Sequence, residues 1–221
     1  MTPQTTAVGH VRVDALSTNR VLKNTYLLLG ATLLFSALTA GVSMALSLPH
    51  PGLVLTLVGY FGLLFLTAKF RNSAAGLACV FALTGFMGYT LGPILSAYLA
   101  LPGGSQIVMT AMAGTAAVFG GLSLYAVSTK RDFSFMGGFL LAGIIVAFLA
   151  GLAAIFFELP SLSIAVSAIF VLLMSGLILF ETSRIVNGGE TNYIMATVSL
   201  YVAIFNLFTS LLHLLGVANS E

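Results

Sequence analysis

The chain is 221 residues long, 59% of them hydrophobic and 6% charged, and its mean hydropathy is +1.09. So little polar surface cannot clothe a soluble globule of this size, and a lipid bilayer has to solvate it. A formal net charge of +2 excludes a surface that tracks nucleic-acid phosphates, and the single cysteine, Cys79, excludes an intrachain disulfide framework or a cysteine-rich metal site.

Residues 1–24 are polar and read as an N-terminal tail, flexible and without an apolar stripe. The apolar run that follows is longer than the hydrophobic stretch of a cleaved signal and is expected to stay as a spanning helix. Cutting the chain at charges, prolines and polar clusters gives seven apolar stretches, at 25–47, 52–68, 75–99, 106–128, 136–157, 162–185 and 191–215, with 216–221 left as a short C-terminal tail. The second is short and the third carries Pro93, but at ~1.5 Å per residue most match a hydrocarbon core ~30 Å thick. Alternating barrel strands are not seen, and an open sheet would leave backbone groups unpaired in lipid. The expected fold class is therefore an all-α membrane protein, a single seven-transmembrane-helix bundle.

Arg12, Arg20 and Lys23 precede the first stretch, Lys69 and Arg71 separate the second from the third, Lys130 and Arg131 the fourth from the fifth, and Arg184 ends the sixth. All eight basic residues thus fall on the N-terminal side of the membrane, which the positive-inside rule makes cytoplasmic. An odd number of crossings then puts Glu221 outside. The opposite connections hold Pro49, Pro51, Pro102 and Pro160 and no basic residue. Gly88 and Gly92 form a GxxxG motif just before Pro93, with Gly120, Gly121, Gly137 and Gly138 on other stretches. Such small residues let helices approach closely, within one bundle or across a homodimer.

Glu181 stands in the sixth stretch with apolar residues before it, and a carboxylate in hydrocarbon costs on the order of 2–3 kcal/mol, so it needs a partner or a role. Arg184, three residues on, shares its helix face. A structural ion pair and a proton-sensing or ion-coordinating site both fit that spacing. Asn206 is the other deep polar group, on the seventh stretch with Asn192, Thr197 and Ser199, and interhelical hydrogen bonding is its plain reading. His213 reads as interfacial, while His10 and His50 lie in connecting segments.

Enzymatic readings find no footing. Gly121-Leu122-Ser123-Leu124 and Leu173-Met174-Ser175-Gly176 each lack one glycine of a Gly-x-Ser-Gly nucleophile motif, three scattered histidines supply no His-Glu-x-x-His zinc site, and no lysine follows Lys130 to hold retinal. No residue is assigned to catalysis, to a cofactor or to a firm metal site.

Four segments carry a family resemblance: Thr84-Gly85-Phe86-Met87-Gly88-Tyr89-Thr90-Leu91-Gly92-Pro93-Ile94-Leu95, Asp132-Phe133-Ser134-Phe135-Met136-Gly137-Gly138, Phe180-Glu181-Thr182-Ser183-Arg184-Ile185, and Leu200-Tyr201 through Asn206-Leu207-Phe208. In order and in spacing, from about residue 20 to the end, the chain resembles the Bax inhibitor family of seven-helix membrane proteins. Asn19 to Tyr26 and Gly188 to Tyr193 bring it nearest to a bacterial inner-membrane branch that modulates the membrane AAA protease FtsH. That resemblance implies a non-enzymatic regulator with FtsH as partner. Other branches are pH-sensitive calcium leaks, gated by two acids on helices six and seven that share a proton. Glu181 matches the first acid, but the second falls at Ala203, and 52–68 lacks the helix-two acid of those branches. A calcium or proton leak gated by Glu181 is the alternative expectation, and one carboxylate is thin provision for calcium.

Overall fold

The computed structural model describes residues 4–219, with side chains from Thr18 to Asn219. In chain order the helices are α1 (Gln4–Ala45), α2 (Leu53–Phe70), α3 (Ala74–Leu99), α4 (Gly104–Thr129), α5 (Gly137–Phe156), α6 (Pro160–Val186) and α7 (Tyr193–Ala218), with a single 3-10 turn at Ser134–Met136 leading into α5. All seven are long and apolar enough to cross a membrane, the candidate span of α1 being Thr18–Ala45. Local chemistry sets their ends. Pro160 opens α6, where a missing N–H costs nothing, and the Asn192 side chain caps α7 by accepting from the N–H groups of Ile194 and Met195, both at 3.0 Å.

Helix α7 is the axis of the bundle. It is the most buried of the seven spans and packs on α1, α3, α4 and α6, while α2 leans on α3 and α5 on α6. Its Tyr201 is 1% exposed; the hydroxyl shares a hydrogen bond of 2.7 Å with Ser36 of α1 and donates to the Thr84 carbonyl of α3 at 3.3 Å. Thr197 donates to the Tyr193 carbonyl at 2.7 Å and reaches the Thr25 carbonyl of α1 at 3.3 Å. Where hydrocarbon surrounds every helix, such bonds and close packing hold a bundle together in place of the hydrophobic effect.

Helix α1 packs closely and extensively against α3. A Cβ on Gly88 would collide with the Ser36 carbonyl and Thr39 Oγ1, and one on Gly92 would come within 2.5 Å of the Ser43 side chain and 2.9 Å of the Ala40 carbonyl. The GxxxG motif therefore packs inside the chain, against a stripe of small residues on α1. That approach also resolves Pro93. Proline has no N–H for the carbonyl four residues back, Tyr89, and the Ser43 hydroxyl donates to that carbonyl from α1 at 3.1 Å. Helix α3 runs unbroken through Pro93 because its neighbour supplies the missing donor.

Hydrogen bonds tie the connections together at two ends. At one end Asn192 donates to the Arg71 carbonyl at 3.0 Å and to Asn72 at 2.8 Å, and Ser183, in the last turn of α6 beside Arg184, donates to the Arg131 carbonyl at 2.8 Å, so the α2–α3 and α4–α5 connections, with Arg71, Lys130 and Arg131, meet the α6–α7 connection. At the other, the Tyr89 hydroxyl donates to the Pro49 carbonyl at 2.8 Å and Asn219 to that of Pro102 at 3.1 Å.

The boundaries agree with the sequence reading to within a few residues except at the start. Helix α1 begins at Gln4, so the expected break near residue 24 falls inside it. No glycine or proline interrupts 11–24, and Val21 and Leu22 pack against the core around Leu29 and Tyr201, which carries the helix past the hydrocarbon edge. The expected C-terminal tail is shorter too, because α7 runs to Ala218; Glu221 lies outside the described residues.

Candidate functional site

Glu181 sits in the last turns of α6, 6% exposed. One turn on, Arg184 presents its guanidinium to the carboxylate, with Nη1 at 3.4 Å from Oε2 and 3.5 Å from Oε1. The contact is an ion pair at the long end of hydrogen-bonding range. Arg184 is half-buried and serves a second acid: Nη2 lies 3.5 Å from Oε2 of Glu190, in the α6–α7 connection, and 3.4 Å from the Gly189 carbonyl. Its guanidinium carbon also lies 5.4 Å from the centre of the Phe180 ring, within the range of a cation–π contact. One cation thus bridges a carboxylate inside the span to another beyond it.

The bridge continues into the connections. Glu190 Oε1 accepts the Asn192 backbone N–H at 2.8 Å, and Asn192 in turn caps α7 and holds Arg71 and Asn72 of the α2–α3 connection. Gly188, at φ +75°, makes the left-handed turn that folds Glu190 back beside Arg184, a conformation that a side chain would strain. On the neighbouring face of α6, Ser183 donates to the Arg131 carbonyl and accepts the Phe133 N–H at 3.1 Å, and Asn187 adds a bond to the same Arg131 carbonyl at 3.2 Å. Asp132 in that connection accepts from the backbone N–H of Ser134 at 2.8 Å and from its hydroxyl at 2.5 Å, which holds its carboxyl below the usual carboxylate range.

Glu181 and Arg184 are therefore brought together, and Asn206 is not part of their network. Its amide donates to the Val202 carbonyl one turn back on α7 at 2.8 Å, so the interhelical bond expected of it is made instead by Thr197 and Tyr201. His213 Nδ1 lies 2.8 Å from the Ser167 hydroxyl, joining α7 to α6 near the proline-bearing end. Ala203 is fully buried in a cluster with Leu140, Ala147, Leu173, Met174, Ile178 and Leu207. The position where the family resemblance led us to look for a second acid is part of the apolar core. Among the described residues no three His, Cys, Asp or Glu side chains gather where they could hold a metal ion.

Glu190 was missed as a partner of Arg184. Its sequence signal was the Gly188-Gly189 pair, which allows the chain to reverse directly after Arg184 and return an acid to it. The Ser43 bond that accommodates Pro93 had no sequence signal, since it depends on which helix packs against α3.

Residues 18–220 match the family described as Inhibitor of apoptosis-promoting Bax1. The chain is 55% identical over 213 residues to the protein named Modulator of FtsH protease YccA of Escherichia coli K12, covering 96% of this chain and 97% of that one. The E. coli O6:H1 relative, with the same identity and coverage, is named Inner membrane protein YccA. An uncharacterized protein of Pseudomonas aeruginosa is 55% identical over 201 residues, 91% of this chain and 90% of that one. With its seven membrane-spanning helices the chain is a multi-pass inner-membrane protein. Matched along almost its whole length, it belongs to the Bax inhibitor family.

Proposed function

We propose that this chain is a non-enzymatic regulator that binds the membrane AAA protease FtsH and restrains it as a slowly degraded competitor substrate. The observation that carries the reading is the 55% identity, over 96% of the chain, to a protein named for modulating that protease. The fold supports it physically. A protease that extracts membrane proteins has to pull helices apart, and here α1, the first to be drawn in from the N-terminus, interlocks with α3 at Gly88 and Gly92 and is tied to α7 through Ser36 and Tyr201. The N-terminal segment is the initiation handle in this reading and faces the cytoplasm. The orientation is supported by Arg71, Lys130 and Arg131 of the α2–α3 and α4–α5 connections and by Arg184 in the last turn of α6, which share one end of the bundle.

The test is degradation of a reporter membrane substrate by purified FtsH in liposomes, with and without this chain. Slowed reporter turnover, together with slow loss of the chain itself, is expected, and deletion of residues 2–15 should relieve both. Unchanged turnover and inhibition after that deletion refutes the handle, and an absence of inhibition by the intact chain refutes the regulator. A saturable calcium or proton flux through the chain in liposomes, abolished by Glu181→Gln, would instead favour the leak reading.

A further inference from the structure

We propose that the basic end of the bundle binds internal water, held by the hydroxyls of Thr25 and Tyr26 on α1, Ser123 on α4 and Thr182 on α6. Among the described residues, these four oxygens are the buried side-chain polar atoms that have no hydrogen-bond partner in the protein. Thr25 and Thr182 are fully buried and Ser123 is 5% exposed. A buried hydroxyl without a partner is costly, and a folded chain satisfies such groups with protein or with ordered water.

The four are not scattered. Each lies within about two helical turns of the end where Arg71, Lys130, Arg131 and Arg184 gather. Thr18 of α1 stands beside Gly188, with its hydroxyl 3.8 Å from where a Cβ would sit. Helices α1 and α6 cross in opposite directions, so two turns inward on each bring Thr25 level with Glu181 and Thr182. Tyr26 packs on Phe119 of α4, with 6.0 Å between ring centres. Helical side chains lean toward the N-terminus of their helix, which for α1 is the basic end, and Ser123 lies one turn beyond Phe119 in the same direction. The phenol therefore reaches toward the level of Ser123, and the neighbouring positions 25 and 26 join the two pairs into one band.

Rotamers and chemistry select the occupant. A serine or threonine in a helix can donate to a carbonyl three or four residues back, as Thr32, Thr67, Thr90 and Thr115 do here. Thr25, Ser123 and Thr182 forgo that bond, so their hydroxyls serve something other than their own backbone. Glu181 adds acceptor capacity at the same level: its contacts to Arg184 are 3.4 and 3.5 Å long, and an ionised carboxylate offers about four lone-pair sites. Water suits such a mixed set because it both accepts from hydroxyls and donates to a carboxylate, a buried molecule making about three such bonds. A divalent cation would need more carboxylates than Glu181 supplies, and no acidic or histidine cluster of three stands among the described residues.

The experiment is water-edited solid-state NMR of the full chain in phospholipid bilayers, with serine, threonine and tyrosine isotopically labelled. Magnetisation that starts on water should reach Thr25, Ser123 and Thr182 severalfold faster than Thr32 and Thr90, which are equally buried but bonded to their own helices. Transfer no faster than at those two controls overturns the proposal, and so does fast transfer that requires calcium in the buffer, which would assign the oxygens to a cation. The thermal midpoints of Thr25→Val, Thr182→Val and Tyr26→Phe give a second readout, with a sign that separates wet from dry. Where water bridges the hydroxyls, each substitution removes a bond and should lower the midpoint by about 2–4 °C. Where the site is dry, each removes an unsatisfied group from an apolar setting, and a rise in the midpoint of all three refutes the bound water.

Discussion

Replacing Arg184 with methionine keeps the length of the side chain and removes the one cation that faces Glu181 among the described residues. The carboxylate is then an unpaired charge inside a span, worth ~2.5–3.5 kcal/mol on insertion scales. Arg184 is itself 31% exposed and the contact is 3.4 Å long, so screening reduces the pairwise part to ~1 kcal/mol. Arg184→Met should therefore cost ~2 kcal/mol overall and Glu181→Gln, which keeps an acceptor without the charge, ~1 kcal/mol. The double variant should cost ~2 rather than ~3 kcal/mol, the difference being the coupling. For a chain of this size, Arg184→Met corresponds to a fall of about 4–8 °C in Tm. The protein carries its own reporter, since Cys79 is its single cysteine and sits half-buried on α3, where a thiol-reactive fluorophore labels it as the bundle opens. If Arg184→Met melts within about 1 °C of native, or the two single losses simply add, then Glu181 is stabilised by something other than Arg184.

Three further outcomes follow from the packing. Gly88→Ala drives a Cβ into the Ser36 carbonyl, which is backbone and cannot swing aside, and should cost ~1–3 kcal/mol, whereas Gly62→Ala, with open space beside it, should gain ~0.5–1 kcal/mol from helix propensity; melting of both variants checks the contrast. Ser43→Ala leaves the Tyr89 carbonyl without its donor and should cost ~1 kcal/mol, and Pro93→Ala should recover most of that loss because a backbone N–H returns to the same acceptor. The depressed pKa of Asp132 means that its contribution is complete above the ordinary carboxylate value of 3.8 and is lost as pH falls through the lower folded value; amide exchange at Ser134 should quicken only there, and Asp132→Asn should remove the dependence.

Much of this architecture is legible in the sequence, because a bilayer sets a length that seven apolar runs either meet or miss. The sixth run, read as 162–185, is Pro160–Val186 in the structure. Hydropathy misled at residue 24 for a physical reason: it marks where lipid ends, while a helix continues for as long as nothing breaks it and Val21 and Leu22 have a core to meet. The pairing of Glu181 with Arg184 was visible in the spacing of one helical turn. Glu190 was hidden because its place depends on the turn at Gly188, and Asn206 misled because an amide in a helix can satisfy itself on its own backbone, as it does at Val202. The GxxxG motif announced a close approach but could not name α1 as the neighbour, since sequence fixes the shape of a surface and only topology chooses what meets it.

The central position of α7 has a consequence for how the protein comes into being. Synthesis runs from the N-terminus, so the helix on which α1, α3, α4 and α6 all pack enters the bilayer after all four of them. Until Tyr201 arrives, the Ser36 hydroxyl lacks the partner it has in the finished bundle, and until Asn192 emerges the connection at Arg71 and Asn72 is untied. Six helices must therefore wait, side by side but without an axis, and a chain cut short before residue 193 is a set of spans with no centre. The helix that ties the others together is made after each of them.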